Sequence, residues 1–252
     1  LDQYIGGLNK SDLILLGARP GMGKTAIALN MALSAARKSN KTVVIFQLEM
    51  SRSQLATRLL SAAGFIDSKK LRMGNLTDDD WQKMAEATED LQRMSIMIDE
   101  NSGITVPEMK AKCRRLGDQL GLIVIDYLQL MHAPKHTDNR VQEVAEISRS
   151  LKIMAKELNV PVLCCCQLSR GPEGRQDKRP MLSDLRESGS IEQDADIVLF
   201  IYRDDYYNSE GDNHNAAELI VAKNRHGETG KIDLQWLGQY TAFLPVDNRH
   251  GG

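Results

Sequence analysis

The chain has 252 residues, 42% of them hydrophobic, which is enough for one large α/β core and forces no division into two. Its formal net charge of −2 excludes a uniformly basic nucleic-acid binder, so any DNA contact must come from local patches. No apolar run reaches the roughly 18 residues of a membrane span, and Leu1-Asp2-Gln3-Tyr4 lacks the charged-then-apolar pattern of a signal peptide.

In chain order, strands are predicted at 13–16, 43–47, 96–98, 122–125, 162–166, 197–202, 218–222 and 231–236. Helices are predicted between the early ones, at 24–38, 51–63, 78–94, 106–116 and 140–158. This alternation is the mark of an α/β fold, a mostly parallel sheet covered on both faces by helices. Two helix starts are explicit: Thr77 before three aspartates, and Thr105-Val106-Pro107-Glu108, a capping box with proline in the first turn. The last strands have no helices between them, so the sheet is expected to finish in antiparallel hairpins around 227–230. The connections 132–139 and 170–189 exceed what linkage needs, and both fall at the C-terminal edge of the sheet, where open α/β sheets bind ligands. Cys113 and the run Cys164-Cys165-Cys166 read as buried thiols, because neighbours on a strand face opposite sides instead of converging on a metal. Reduced cysteines fit the cytoplasm.

The stretch Ala18-Arg19-Pro20-Gly21-Met22-Gly23-Lys24-Thr25 lies between an apolar strand and a helix and reads as a phosphate-binding loop. Such a turn aims several backbone N–H groups and the positive end of a helix dipole at one spot. Lys24 is expected to reach the β- and γ-phosphates of ATP, and the Thr25 hydroxyl to hold Mg²⁺. Ala18 stands where the usual pattern has glycine, with Gly17 just before it. Because this loop lies so near the start and no initiator Met precedes it, a fragment lacking its N-terminal part is expected.

Three further strand ends carry chemistry. Leu122-Ile123-Val124-Ile125 ends in Asp126, a carboxylate for the Mg²⁺ shell or a turn-forming residue capping a core strand. Val43-Val44-Ile45-Phe46-Gln47-Leu48 leads to Glu49, placed to polarise an attacking water, unless it is a solvated residue that starts the next helix. The strand at 162–166 leads to Gln167, whose amide both donates and accepts and can register a γ-phosphate.

With the segments Phe46-Gln47-Leu48-Glu49-Met50-Ser51, Ile123-Val124-Ile125-Asp126-Tyr127-Leu128-Gln129-Leu130, Gln167-Leu168-Ser169-Arg170, the stretch 184–196 and Lys223-Asn224-Arg225-His226-Gly227, the chain resembles the DnaB-type replicative DNA helicases. These motifs and the phosphate loop occur in the family's order over nearly the whole chain, and the match is to the family's C-terminal RecA-like ATPase domain. The resemblance implies a RecA-like P-loop NTPase core over 1–252, without the N-terminal helical domain and most of the linker. It implies a homo-hexameric ring that moves 5′ to 3′ along single-stranded DNA with ATP hydrolysis, and primase and a helicase loader as partners. Lys24 and Thr25 then bind phosphate and Mg²⁺, Asp126 is the Walker B acid, Glu49 the catalytic carboxylate and Gln167 the γ-phosphate sensor. Arg225 resembles the arginine finger that enters a neighbouring subunit's site, and Lys223 a second cation beside it.

Arg186, Glu187 and Gly189 match a family loop that grips the DNA backbone, where charge and backbone N–H groups serve regardless of base sequence. Arg170 and the basic tract that runs from it to Arg179 either add attraction for DNA or form a loose surface loop. Arg203-Asp204-Asp205-Tyr206-Tyr207 is either a nucleotide-base platform or an exposed turn. Two other functions remain open at this point: a RecA-like ring or filament ATPase without unwinding, and a DNA-binding or loading module that uses ATP as an assembly switch.

Overall fold

Leu13–Ala18 forms β1, a strand of six fully buried residues at the centre of a nine-stranded sheet. It is described in a computed structural model that covers residues 1–133, 139–185, 189–207 and 215–246. After a short helix α1 (Asp2–Ile5), the chain runs through β1, α2 (Lys24–Ser39), β2 (Thr42–Gln47), α3 (Arg52–Gly64), α4 (Ser68–Met73) and α5 (Asp78–Arg93). Next come β3 (Ile96–Asp99), α6 (Val106–Arg114), β4 (Leu120–Asp126), α7 (Arg140–Leu158), β5 (Val162–Gln167) and α8 (Gly189–Asp194). The chain ends in β6 (Ile197–Arg203), β7 (Ala216–Asn224), β8 (Gly230–Leu237) and β9 (Ala242–Pro245).

The sheet order is β3-β2-β4-β5-β1-β6-β7-β8-β9. The first six strands of that order are parallel and the last three join antiparallel, as the missing helices between the late strands require. Two apolar layers follow from the pleat. Ile14 and Leu16 pack with α2 and α3, whereas Leu13 and Leu15 pack with α6 and α7. The three consecutive cysteines obey the same alternation: Cys165 enters the first layer and Cys164 and Cys166 the second. All four thiols are free and buried.

Thr77 caps α5 by accepting from the Asp80 N–H, and the Thr105 N–H donates to Glu108 at 2.8 Å. Both helix starts are where the sequence puts them. Not foreseen are α4 and β9, of six and four residues, too short to carry a period of their own. The described residues of the connection after β5 carry short local structure. They hold 3₁₀ turns at Gly171–Gly174 and Leu182–Asp184, and α8 opens at Gly189.

Candidate active site

The ends of β1, β2, β4 and β5 meet at one edge of the sheet because the four strands are parallel neighbours: Ala18 pairs with Gln167, and Gln47 with Asp126. Between β1 and α2 the loop turns through Gly21 at φ 78° and Gly23 at φ 96°, conformations that side chains other than glycine rarely adopt. Gly23 has a second constraint: a Cβ there would lie 2.8 Å from two ring carbons of Phe243. The first residues of α2 follow at once, so the loop sits on a helix N-terminus.

A cavity of about 320 Å³ opens beside the loop. Lys24, Thr25, Glu49 and Gln167 all border it, so four side chains far apart in the sequence are brought to one place. Asp126 lies beneath it, buried, with the Thr25 hydroxyl donating to its Oδ2 at 2.6 Å and the Lys24 ammonium 3.4 Å from its Oδ1. The Lys24 ammonium also sits 3.8 Å above the Tyr127 ring. Asp126 Oδ1 is a buried atom without a hydrogen-bond partner, and Gln47 Oε1 beside it is another. Buried oxygens left this way mark a place for a further ligand. A hard divalent cation fits here, since it takes oxygen donors and a carboxylate and a hydroxyl already converge on the spot.

Among the residues that border the cavity and that sequence reasoning missed are Arg58 from α3, and Trp236 and Thr241 from the C-terminal hairpin. Burial lowers the Arg58 pKa, while the charges of Asp126 and Glu49 act the other way. A guanidinium in the field of both acids belongs to the same electrostatic unit. No motif points to it, because an arginine on an amphipathic helix is ordinary. Trp236 packs on Phe243 at 4.6 Å and carries the Arg203 guanidinium over its face at 4.8 Å.

Arg203 is further held by the Asp205 carboxylate at 3.0 and 3.1 Å and reaches the Gly21 carbonyl at 3.4 Å. It is built into the wall behind the phosphate loop instead of standing on an exposed turn. Arg19 is committed as well, to the Leu168 carbonyl at 2.8 Å and to Glu173 at 2.5 Å. In the basic tract, Arg175 pairs with buried Asp184 at 2.6 Å and Arg179 forks onto Glu218 at 2.7 and 2.8 Å. Those two charges are therefore answered within the chain, and Arg170 stays exposed. Arg186 and Glu187 lie outside the described residues, as does 134–138 of the earlier connection.

Lys223 and Arg225 are not near the cavity. The Arg225 N–H donates to the Asp196 carbonyl, and the Asp196 N–H to the Leu13 carbonyl, so Arg225 lies level with the start of β1. The phosphate loop follows the other end of that strand, about 17 Å away at the usual ~3.3 Å per residue. The Arg225 guanidinium donates to the Gln193 carbonyl at 2.6 Å, and the Lys223 ammonium to the Glu192 carbonyl at 2.6 Å, both on α8. Burial lowers the Lys223 pKa, with nearby Arg225 acting in the same direction.

Residues 1–245 match the model of the DnaB-like helicase C terminal domain. The chain belongs to that family. It is similar to the replicative DNA helicase DnaC of Bacillus subtilis (strain 168), 52% identical over 252 residues, covering 99% of this chain and 56% of that protein. The chain thus spans little more than half the length of this curated relative. One solved structure, of a DnaB-like replicative helicase and its interactions with primase, superposes with a TM-score of 0.94 at 40% identity, over 98% of this chain and 60% of that one. A second, a solved ATPase domain, gives a TM-score of 0.93 at 40% identity over 98% of this chain and 88% of that one. The DnaB-like fold is the α/β RecA-like sheet with antiparallel late strands described above, and the family uses a nucleotide. The readings without unwinding are not favoured by these matches. Among the described residues no helix is long and apolar enough to cross a membrane.

Proposed function

We propose that this chain is the ATP-hydrolysing motor domain of a replicative DNA helicase, and that 1–252 forms one RecA-like domain of a longer protein. The observation that carries the reading is the convergence of Lys24, Thr25, Glu49 and Gln167 on one cavity above Asp126, with Arg225 at the opposite end of the sheet. ATP is the substrate. The loop from Ala18 to Thr25 wraps its phosphates with backbone N–H groups, Pro20 apart, and Lys24 swings from Asp126 to the β- and γ-phosphates. Thr25 and Asp126 hold Mg²⁺, which when bound neutralises charge on the phosphate oxygens. Glu49 takes a proton from the attacking water, and Gln167 donates to the γ-phosphate.

With its backbone a strand's length, about 17 Å, from its own phosphate loop, Arg225 cannot reach the substrate it serves within one chain. Arg225, with Lys223 beside it, acts on the site of the next subunit, so hydrolysis requires a ring, taken to be a homo-hexamer. Trp236, with Arg203 laid over its ring, forms the cavity wall on the side of the C-terminal hairpin. Arg186, Glu187 and the backbone of Gly189 contact single-stranded DNA, with Arg170 as a further candidate, and the motor moves 5′ to 3′. Primase and a helicase loader are proposed partners, the first because a similar helicase is known in structure with its primase interactions. The place of action is the cytoplasm, in association with the nucleoid, for a bacterial or a phage-encoded protein alike.

The deciding measurement is solution mass of the full-length protein with Mg²⁺ and a non-hydrolysable ATP analogue, with and without a single-stranded oligonucleotide, alongside DNA-stimulated ATPase. A nucleotide-dependent hexamer whose ATPase is abolished by Lys24→Ala, Glu49→Gln or Arg225→Ala supports the reading. Parent-rate hydrolysis by Glu49→Gln removes the base assignment.

A further inference from the structure

We propose that Gln129 is a positioning residue for Gln167, holding that side chain at the γ-phosphate end of the nucleotide cavity. The proposal rests on the reading of Gln167 as the γ-phosphate contact. Its basis is a gap in the sheet. The ladder between β4 and β5 runs only from Ile123↔Val162 to Ile125↔Cys164, because β4 parts from β5 after Ile125 and ends at Asp126, where it is paired with β2 alone. On its other side β5 stays paired with β1 as far as Ala18↔Gln167. The N–H and C=O of Gln167 that point toward β4 therefore have no strand to meet.

The side-chain amide of Gln129 fills that place. Its Nε2 donates to the Gln167 carbonyl at 3.0 Å, and its Oε1 accepts from the Gln167 N–H at 3.0 Å. One primary amide thus serves as a further strand residue, meeting both the N–H and the C=O of Gln167 as the opposite residue of a hydrogen-bonded antiparallel pair does. With Ala18 on one flank and Gln129 on the other, the backbone of Gln167 is fixed although its side chain is exposed to the cavity.

Gln129 is itself anchored. It stands on the 3₁₀ turn Leu128–Leu130, whose Leu130 N–H donates to the Tyr127 carbonyl at 3.1 Å. Its own carbonyl accepts from Arg140 at 2.7 Å, and the same guanidinium donates to the Met131 carbonyl at 3.1 Å. Glu143 pairs with Arg140 and accepts from the Ala133 N–H at 3.0 Å. The first turn of α7 therefore clamps the segment that clamps Gln167. Gln129, Arg140 and Glu143 do not border the cavity, so Gln129 acts on the reaction through the Gln167 backbone that its amide holds.

The test is a double-mutant cycle on DNA-stimulated ATP hydrolysis in the full-length protein. Gln129→Ala is expected to lower kcat about ten- to a hundredfold, the cost of a misplaced contact, with affinity for a non-hydrolysable ATP analogue unchanged. Gln129→Glu is nearly isosteric, keeps the acceptor and loses the donor, and is expected to fall as far; it carries the cycle if the alanine variant does not fold. In a Gln167→Ala background either substitution is expected to add nothing. Equal losses in both backgrounds, or parent kcat in Gln129→Ala, overturn the proposal while leaving the nucleotide site intact. Parent kcat in Gln167→Ala alone overturns instead the reading on which it rests.

Discussion

Arg225 and Lys24 lie at opposite ends of the same sheet, one level with Leu13 where β1 begins, the other just past the loop that follows Ala18. No rotamer of Arg225 bridges that length, so a catalytic role for it is a role in another subunit. Mixing variants tests this. Lys24→Ala subunits keep a finger and Arg225→Ala subunits keep a phosphate loop, so a mixed ring is expected to recover part of the ATPase that each lacks alone. Mass analysis confirms mixed assembly, and silence from confirmed mixed rings rules out action in trans.

Gly23 is the tightest point of the phosphate loop. At φ 96° and with Phe243 ring carbons 2.8 Å from where a Cβ would stand, Gly23→Ala is expected to abolish nucleotide binding. The backbone strain alone is expected to cost about 1–3 kcal/mol of stability. Calorimetric titration with an ATP analogue and a thermal melt read the two effects separately. Adding Phe243→Ala relieves the contact but not the φ angle, so binding is expected to stay lost. Full recovery in the double variant means that the contact, not the backbone conformation, is what matters.

What could be read from the sequence was what local chemistry decides. The strand–loop–helix around Gly21 and Gly23 is legible because glycine is required there, and the central strands because burial on both faces leaves unbroken apolar runs. Glu49 and Gln167 are legible for the same reason, as polar residues that end such runs. Arg58 and Trp236 are not, since one stands on an ordinary helix and the other on an outer strand, and only the tertiary fold turns them to the cavity. The tract 170–179 looks basic when read along the chain. In space Arg175 and Arg179 are met by Asp184 and Glu218, the second of them on β7, 39 residues away from Arg179. Charge counted locally overstates what such a tract offers to DNA.

That pairing has a pH dependence of definite sign. The Arg179 fork, then a bond from Lys231, holds the Glu218 carboxyl below its usual range in the folded chain. The unfolded chain has an ordinary glutamate that binds a proton first, near pH ~4.3. The stability Glu218 contributes is therefore full at neutral pH and is lost as pH falls through its depressed folded value. Denaturant titrations from pH 7 to pH 3 are expected to show Glu218→Gln less stable than the parent at pH 7 by about 0.5–1 kcal/mol, with the difference closing in acid. A constant difference across that range indicates lost packing instead of lost charge.

The cysteines on β5 test burial at the centre of the sheet. Cys164, Cys165 and Cys166 are fully covered, and burial pushes the Cys166 thiol up to about 12, as it does Cys113. The thiolate is the reactive form, so at pH 8 each of these groups is both shielded and protonated. Iodoacetamide at pH 8 is expected to leave the native protein unmodified over hours, while in denaturant all four thiols react, as counted by intact mass.

Arg58 faces both acids of the site, and a triphosphate brings into that field the charge that a guanidinium answers best. Binding of a non-hydrolysable ATP analogue is expected to weaken about tenfold or more in Arg58→Ala, the worth of one charge-assisted hydrogen bond. ADP, which lacks the γ-phosphate, is expected to bind as in the parent. Arg58→Lys keeps the charge but not the fork and is expected to fall between the two. Equal weakening of both nucleotides assigns Arg58 to the shape of the pocket. Unchanged affinity for both, with hydrolysis lost, assigns it to holding Glu49 in place, and titration beside Glu49→Gln separates these outcomes.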